Sequence, residues 1–348
     1  MKKNMMLVIS SIAVMCLFLT ACTGNGATGS SNGNSGITTL KLGYAKCAHC
    51  LPMSLTPQYQ DKSKVNIQAT SFQSGNDVLT ALTSKSIDVA QVTYLHFITA
   101  LDRGLDIVAI SGQVNGGSDI IASNKLNLKA DDWASLKTLV KQRKADGKPL
   151  KIAASRGNAQ DIHLRGELQL HGINPNKDIE FVNIANPADH EAALERNEVD
   201  LICTVEPSAS KIILDKKGKH FAYPYNQAAG NLTNIIVTRS DVIKDHPEAV
   251  KAFVEANMKV VDKISADKAP WISVIQKNTG MSSEVSTRAL DNAYPDYKMY
   301  KSKTLAIAKM MKELKYINTD VSKKVEKQMD YTILESITGK NASELGDN

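Results

Sequence analysis

Residues 71–93 read SFQSGNDVLTALTSKSIDVAQVT. From Gly75 to Thr83 the apolar residues Val78, Leu79 and Leu82 fall on one stripe, which predicts a helix with one buried face. Ile87 to Thr93 then reads as a strand. Just upstream, Val65 to Ser71 alternates apolar and polar, the period of a strand. Strand, helix and strand in such quick succession predict parallel pairing, because parallel neighbours need a crossover long enough to hold a helix.

The pattern continues outward from that unit. Thr38 to Tyr44 is a further alternating strand, a helix runs from Thr93 to Arg103, and Ile107 to Ile110 is another strand. It restarts at Leu150–Ala154, followed by a helix from Ala159 to His171, a strand at Ile179–Val182, a helix from Ala188 to Arg196 and a strand from Val199 to Thr204. Asn234–Thr238 is one more strand, and from Pro247 onward the reading is mainly helical, with Val250, Phe253, Val254 and Met258 on one face. Two α/β units of this kind predict parallel sheets with helices on both faces. Ile120–Ala122 and Ile235–Val237 flank the second unit and are expected to cross between lobes. The expected division is residues 37–122 and 236–348 in lobe I and 123–235 in lobe II, with a cleft where the carboxyl ends of strands converge.

The ends and the composition bound the setting. Lys2 and Lys3 precede an uncharged apolar run, Met5 to Thr20, too short to span a membrane and flanked like a secretion signal. It closes on Leu19-Thr20-Ala21-Cys22, which resembles the lipobox of bacterial lipoproteins. That resemblance implies cleavage of residues 1–21 and a lipid anchor on Cys22, with the folded part held at the outer face of a membrane or in a periplasm. Residues 22–36, rich in glycine, serine and asparagine, read as a flexible linker with a mean reach of roughly 20 Å. Loss of the signal removes two lysines and no acid, so the formal charge falls from +6 to +4. The lysines are spread along the chain, and nothing argues for a nucleic-acid partner. Once Cys16 and Cys22 are set aside, Cys47, Cys50 and Cys203 are too few for a disulfide-built fold.

Five stretches together resemble the nitrate/sulfonate/taurine class of solute-binding proteins that serve ABC importers. They are residues 71–93, GKPLKIAASRGN (147–158), GINPNKDIEFVNI (172–184), EAALERNEVDLICTVEP (191–207) and TRSDVIKDHPEAVKAFVEAN (238–257). The resemblance implies a two-lobed periplasmic-binding-protein (type II) fold with two crossover strands and a helical C-terminal region. It implies a monomer without enzymatic activity that captures a small molecule and delivers it to a permease and its ATPase. The solute expected is a sulfonate-, nitrate- or taurine-like anion, or a heterocycle. Ser74, Gly75 and Asn76 open a helix directly after a strand, and Ser155, Arg156, Gly157 and Asn158 repeat the arrangement, so both helix starts are candidate anion holders. Thr93, Tyr94, Asn115 and Gly116 are expected to line one wall, with Thr204 and Glu206 opposite. Tyr44 and Tyr94 are candidates to stack on a planar solute.

The first-strand loop departs from that family in carrying Lys46-Cys47-Ala48-His49-Cys50. Three readings stay open on the residues alone. Cys-x-His-Cys resembles the motif of thiol-exchange proteins. Two cysteines three apart are half of a site for zinc or another thiophilic metal, with His49, His163 and Cys203 as further ligands. The third reading is a short disulfide stiffening a cleft loop, with Lys46 and His49 free to meet solute.

Overall fold

The computed structural model describes residues 36–348. The expected signal (1–21), the expected lipid anchor at Cys22 and the expected linker up to residue 35 lie outside the described residues. From Ile37 the chain builds β1 (Thr38–Ala45), β2 (Val65–Phe72), β3 (Val89–Thr93), β4 (Ile107–Ser111) and the short β5 (Val114–Gly116). It then lays down β6 (Ser118–Ala122), β7 (Lys151–Ala154), β8 (Glu180–Asn183), β9 (Leu201–Val205) and β10 (Lys219–Ala222). Finally it returns through β11 (Asn234–Arg239), with β12 (Ala293–Pro295) inside a helical C-terminal region. Two five-stranded sheets result, in the orders β2-β1-β3-β11-β4 and β10-β6-β9-β7-β8. This is a two-lobed fold.

Alternation sets the faces. In β1, Leu40 and Leu42 are buried while Lys41 between them is exposed, and Val65 and Ile67 of the parallel neighbour β2 repeat the pattern in register. Each such side chain removed from water contributes roughly 1.5–3 kcal/mol. The helix Gly75–Thr83 buries Val78, Leu79 and Leu82, the stripe its spacing predicts.

The sheets are mixed, not parallel throughout. β11 runs antiparallel to β3 and β4, and β6 runs antiparallel to β9. The reason is topological. Most strands run toward the cleft and end there, whereas β6 and β11 arrive from the other lobe and so start at the cleft. Ile120–Ala122 lies wholly in β6 of the second sheet, and Ile235–Val237 wholly in β11 of the first. The passages between lobes are therefore Gly117 on the way out and residues 223–233 on the return. Gly116 and Gly117 both take positive φ, +86° and +77°, and a Cβ on Gly116 would lie 2.1 Å from the Asn292 carbonyl oxygen. Only glycine fits such a pivot. Beside it β5 pairs with β12, tying the C-terminal region to the crossing. No helix among the described residues is long and apolar enough to cross a membrane.

Candidate functional site

Between the lobes lies a cavity of about 630 Å³, within the usual range for small-molecule sites. Loops at the carboxyl ends of β1, β2, β3, β7, β8 and β9 converge on it, as does Asn234 at the start of β11. The first lobe contributes Lys46, Cys47, His49, Cys50, Ser74, Gly75 and Thr93; the second contributes Ser155, Asn158 and Glu206. All ten are expected from the sequence.

The cysteine loop is built into the molecule from both sides. Cys47 and Cys50 are joined as a disulfide across a turn closed by Cys50 N–H donating to the Cys47 carbonyl at 2.9 Å. Trp271, buried in the helix Ala269–Thr279, donates its indole N–H to the Ala48 carbonyl at 2.7 Å. The Ala48 N–H donates across the cleft to the Glu206 carbonyl at 2.9 Å, so the lobes are in contact here. His49 is buried, its Nε2 3.3 Å from Cys47 Sγ and its Nδ1 against Gly117 with no hydrogen-bond partner. Burial pushes its pKa down to about 3, so the ring is neutral. One donor atom from each of Cys47, His49 and Cys50 lies within 4.8 Å of the others.

The helix starts differ from the expectation. At Gly75–Thr83, Ser74 and Asp77 form a reciprocal cap, the Asp77 carboxylate accepting from Ser74 N–H at 3.1 Å. Asn76 Oδ1 bonds His96 Nε2 at 3.0 Å, and Thr93 Oγ1 bonds His96 Nδ1 at 2.8 Å. A Cβ on Gly75 would come within 2.6 Å of the His96 ring, so packing against His96 already requires glycine there. At Ala159–Leu170, Gly157 N–H donates to Asp161 at 3.0 Å, and Asp161 pairs with Arg165 at 2.7 Å and with the Tyr316 hydroxyl. Ser155 Oγ donates to the Ile184 and Ala185 carbonyls. Both helix starts are thus met by a carboxylate of the chain itself.

Other expected residues sit off the cavity lining. Arg156 is exposed, its guanidinium 5.2 Å from the Phe181 ring centroid. Tyr44 and Tyr94 are core residues. Asn115 Oδ1 accepts from Thr233 N–H at 3.0 Å and Gly116 belongs to the pivot, while Thr204 Oγ1 bonds His190 at 2.6 Å. Neither His163 nor Cys203 joins the Cys47–His49–Cys50 group. His163 Nε2 donates to the Leu232 carbonyl at 2.8 Å, and Cys203 packs in the core of the second sheet. Both faces of β9 are buried, and Cys203 shares the face of Leu201, packed into the core of the second lobe.

Several lining residues carry weak local signals or none. Gln91 interrupts an otherwise apolar strand, a legible anomaly, and donates to Gln113 Oε1 at 3.0 Å. Asn278, Thr279 and Met281 reach the cleft from the far C-terminal region, which no local pattern announces. Of the lining residues, Lys46 is the basic one and Glu206 the acidic one. Glu206 is buried, with Oε2 accepting from Ser210 N–H at 2.9 Å; desolvation, reinforced by Asp119, pushes its pKa up to about 8. Its carboxyl group is therefore largely uncharged at neutral pH.

Two α/β lobes with a cleft between them at converging strand ends are the fold of the periplasmic binding proteins. Residues 33–274 match the NMT1-like family, and the chain belongs to that family. It is 25% identical over 289 residues to the nitrate/nitrite-binding protein NrtA of Synechococcus elongatus, covering 73% of this chain and 64% of that protein. It is also 25% identical over 214 residues to the taurine-binding periplasmic protein of Escherichia coli, covering 62% of each. The chain thus spans somewhat under two thirds of the length of these relatives. Its fold superimposes on the nitrate-binding protein NrtA of Synechocystis with a TM-score of 0.73 at 17% identity, over 90% of this chain and 92% of that one.

Proposed function

We propose that this chain is the extracytoplasmic, lipid-anchored solute-binding component of an ABC importer, a monomeric clamp without enzymatic activity that hands a small molecule to a permease and its ATPase. The observation that carries the reading is the roughly 630 Å³ cavity walled by loops of both lobes. A solute there touches both lobes only when they are together, so its extra contacts favour the closed form over the open one. The two-lobe division stays part of the proposal, with its boundaries taken at Gly117 and within residues 223–233.

The site chemistry narrows the solute. Asp77 and Asp161 occupy the helix starts, and Lys46 is the cation of the lining. Amide side chains of Gln91, Asn158 and Asn234 supply donors and acceptors. This favours a solute with a single anionic group, sulfonate-, nitrate- or taurine-like, or a neutral heterocycle. A second reading of the same cleft is favoured by the three donor atoms of Cys47, His49 and Cys50, and has zinc or another thiophilic metal taking part in capture.

Mass spectrometry of whatever co-purifies with the native protein, followed by calorimetry against nitrate, taurine, alkanesulfonates and pyrimidines, tests the proposal. One class is expected to bind at micromolar affinity or better and to weaken at least about tenfold in a K46A/N158A variant, the loss of about 1.4 kcal/mol. Absence of any binding across the panel, or full affinity in the variant, overturns it.

A further inference from the structure

We infer that Cys47, His49 and Cys50 are a redox-gated soft-metal site opening onto the cleft. As a dithiol the pair holds one thiophilic ion with His49 and leaves one coordination position for a donor atom of the solute; as the disulfide it holds none. The inference rests on the clamp reading of the cleft and names what gates it.

Geometry carries the argument. All three side chains line the cavity and are almost wholly buried, so an ion there would face the solute and little bulk water. Cys47 Sγ and His49 Nε2 lie 3.3 Å apart. A tetrahedral ion with about 2.3 Å bonds to sulfur and about 2.0–2.1 Å to nitrogen needs those atoms about 3.6 Å apart. The two sulfurs must separate, which reduction permits. The loop backbone does not depend on the sulfur bond for its place, since Trp271 holds the Ala48 carbonyl and Glu206 accepts from the Ala48 N–H. Three protein ligands with an open fourth position is the arrangement of ion sites that engage a guest, in contrast to closed structural sites. A disulfide spanning a sequence separation of 3 removes little freedom from the unfolded chain. Stabilisation by chain entropy is therefore a poor account of why it sits in the cleft beside a buried histidine.

The chemistry balances. An external dithiol transfers two electrons and two protons to the Cys47–Cys50 bond and leaves as its own disulfide. Binding of a divalent ion then expels the two thiol protons, and two thiolates with one divalent ion add no net charge to the cleft.

Cadmium and zinc titrations of the purified protein, oxidised and reduced, test this in a C16A/C22A background, where Cys47, Cys50 and the buried Cys203 are the remaining cysteines. The reduced form is expected to bind one ion per chain with a thiolate-to-cadmium charge-transfer band. The oxidised form and the C47S/C50S variant are expected to bind at least about 100-fold more weakly, and His49→Ala about 10–100-fold more weakly. Comparing the two redox states needs no substitution, so a misfolded variant does not blunt the test. Equal binding by both states, or uptake without the charge-transfer band, overturns the inference. A metal-free solute that binds both redox forms equally, with no ion taken up by either, sinks this inference and leaves the clamp reading standing. Ion binding with no solute found does the reverse.

Discussion

Glu206 is placed to make closure of the lobes depend on pH. Its carboxyl group is buried in the contact between lobes, where its own carbonyl accepts from Ala48 N–H, and desolvation raises its pKa from 4.5 to about 8. Opening the cleft is expected to expose the group to water and lower its pKa toward the ordinary 4.5, while Ser210 N–H and Asp119 stay with it in the second lobe. The closed form therefore holds the proton more tightly than the open form. The sign follows: this contribution to closure is fully present below pH 4.5, declines as pH rises, and is lost as pH passes about 8. At about 1.4 kcal/mol for each pH unit between the two values, the ceiling is about 5 kcal/mol, and water entry and relaxation reduce it to about 2–3 kcal/mol. In E206Q, an uncharged amide of similar shape, that dependence disappears. Small-angle scattering of the unliganded protein between pH 5 and pH 9 reads the outcome as radius of gyration. Wild type is expected to expand as pH rises, while E206Q stays compact throughout. Asp119, raised to about 6 by burial, and its partner His220 titrate in both proteins, so the difference between the two curves isolates Glu206. Identical curves, or a wild type that compacts with rising pH, would refute the reasoning.

Gly117→Ala is expected to cost about 2–4 kcal/mol, because the backbone there has φ +77° and the new Cβ would lie 2.1 Å from His49 Nδ1. A urea midpoint unchanged from wild type would contradict this. Asp161→Asn takes the negative charge from the buried Arg165 guanidinium and leaves one acceptor oxygen where Arg165, Gly157 N–H and the Tyr316 hydroxyl used two. A loss of about 3–5 kcal/mol is expected in thermal or denaturant unfolding, and a loss below about 1 kcal/mol would show that the pair is not buried as described.

Much of the local architecture was legible because periodicity and capping act over a few residues. The helix Gly75–Thr83 follows from one apolar stripe and from Ser74 and Asp77, a serine followed three residues later by an acid. The strands β1 and β2 follow from alternation that the core then uses. The cysteine pair stood out for its spacing alone, and the loops that build the cleft were located because they follow strands. Which side chain of such a loop faces the cavity was not local information. Ser155 and Asn158 line it while Arg156 between them points to solvent, and Tyr44 and Tyr94 turn into the core because the apolar interior takes their rings.

By itself the sequence determined the alternation of strands and helices, the two α/β units, and the three soft donors gathered within four residues. Tertiary structure alone decided that β6 and β11 run against their neighbours, since direction depends on the end from which a strand enters its sheet. It decided that Trp271 clasps Ala48, 223 residues away, and that Asn278–Met281 cover the cleft. Contacts at such separations leave no period in the chain. They form only when the buried faces of many elements are satisfied at once.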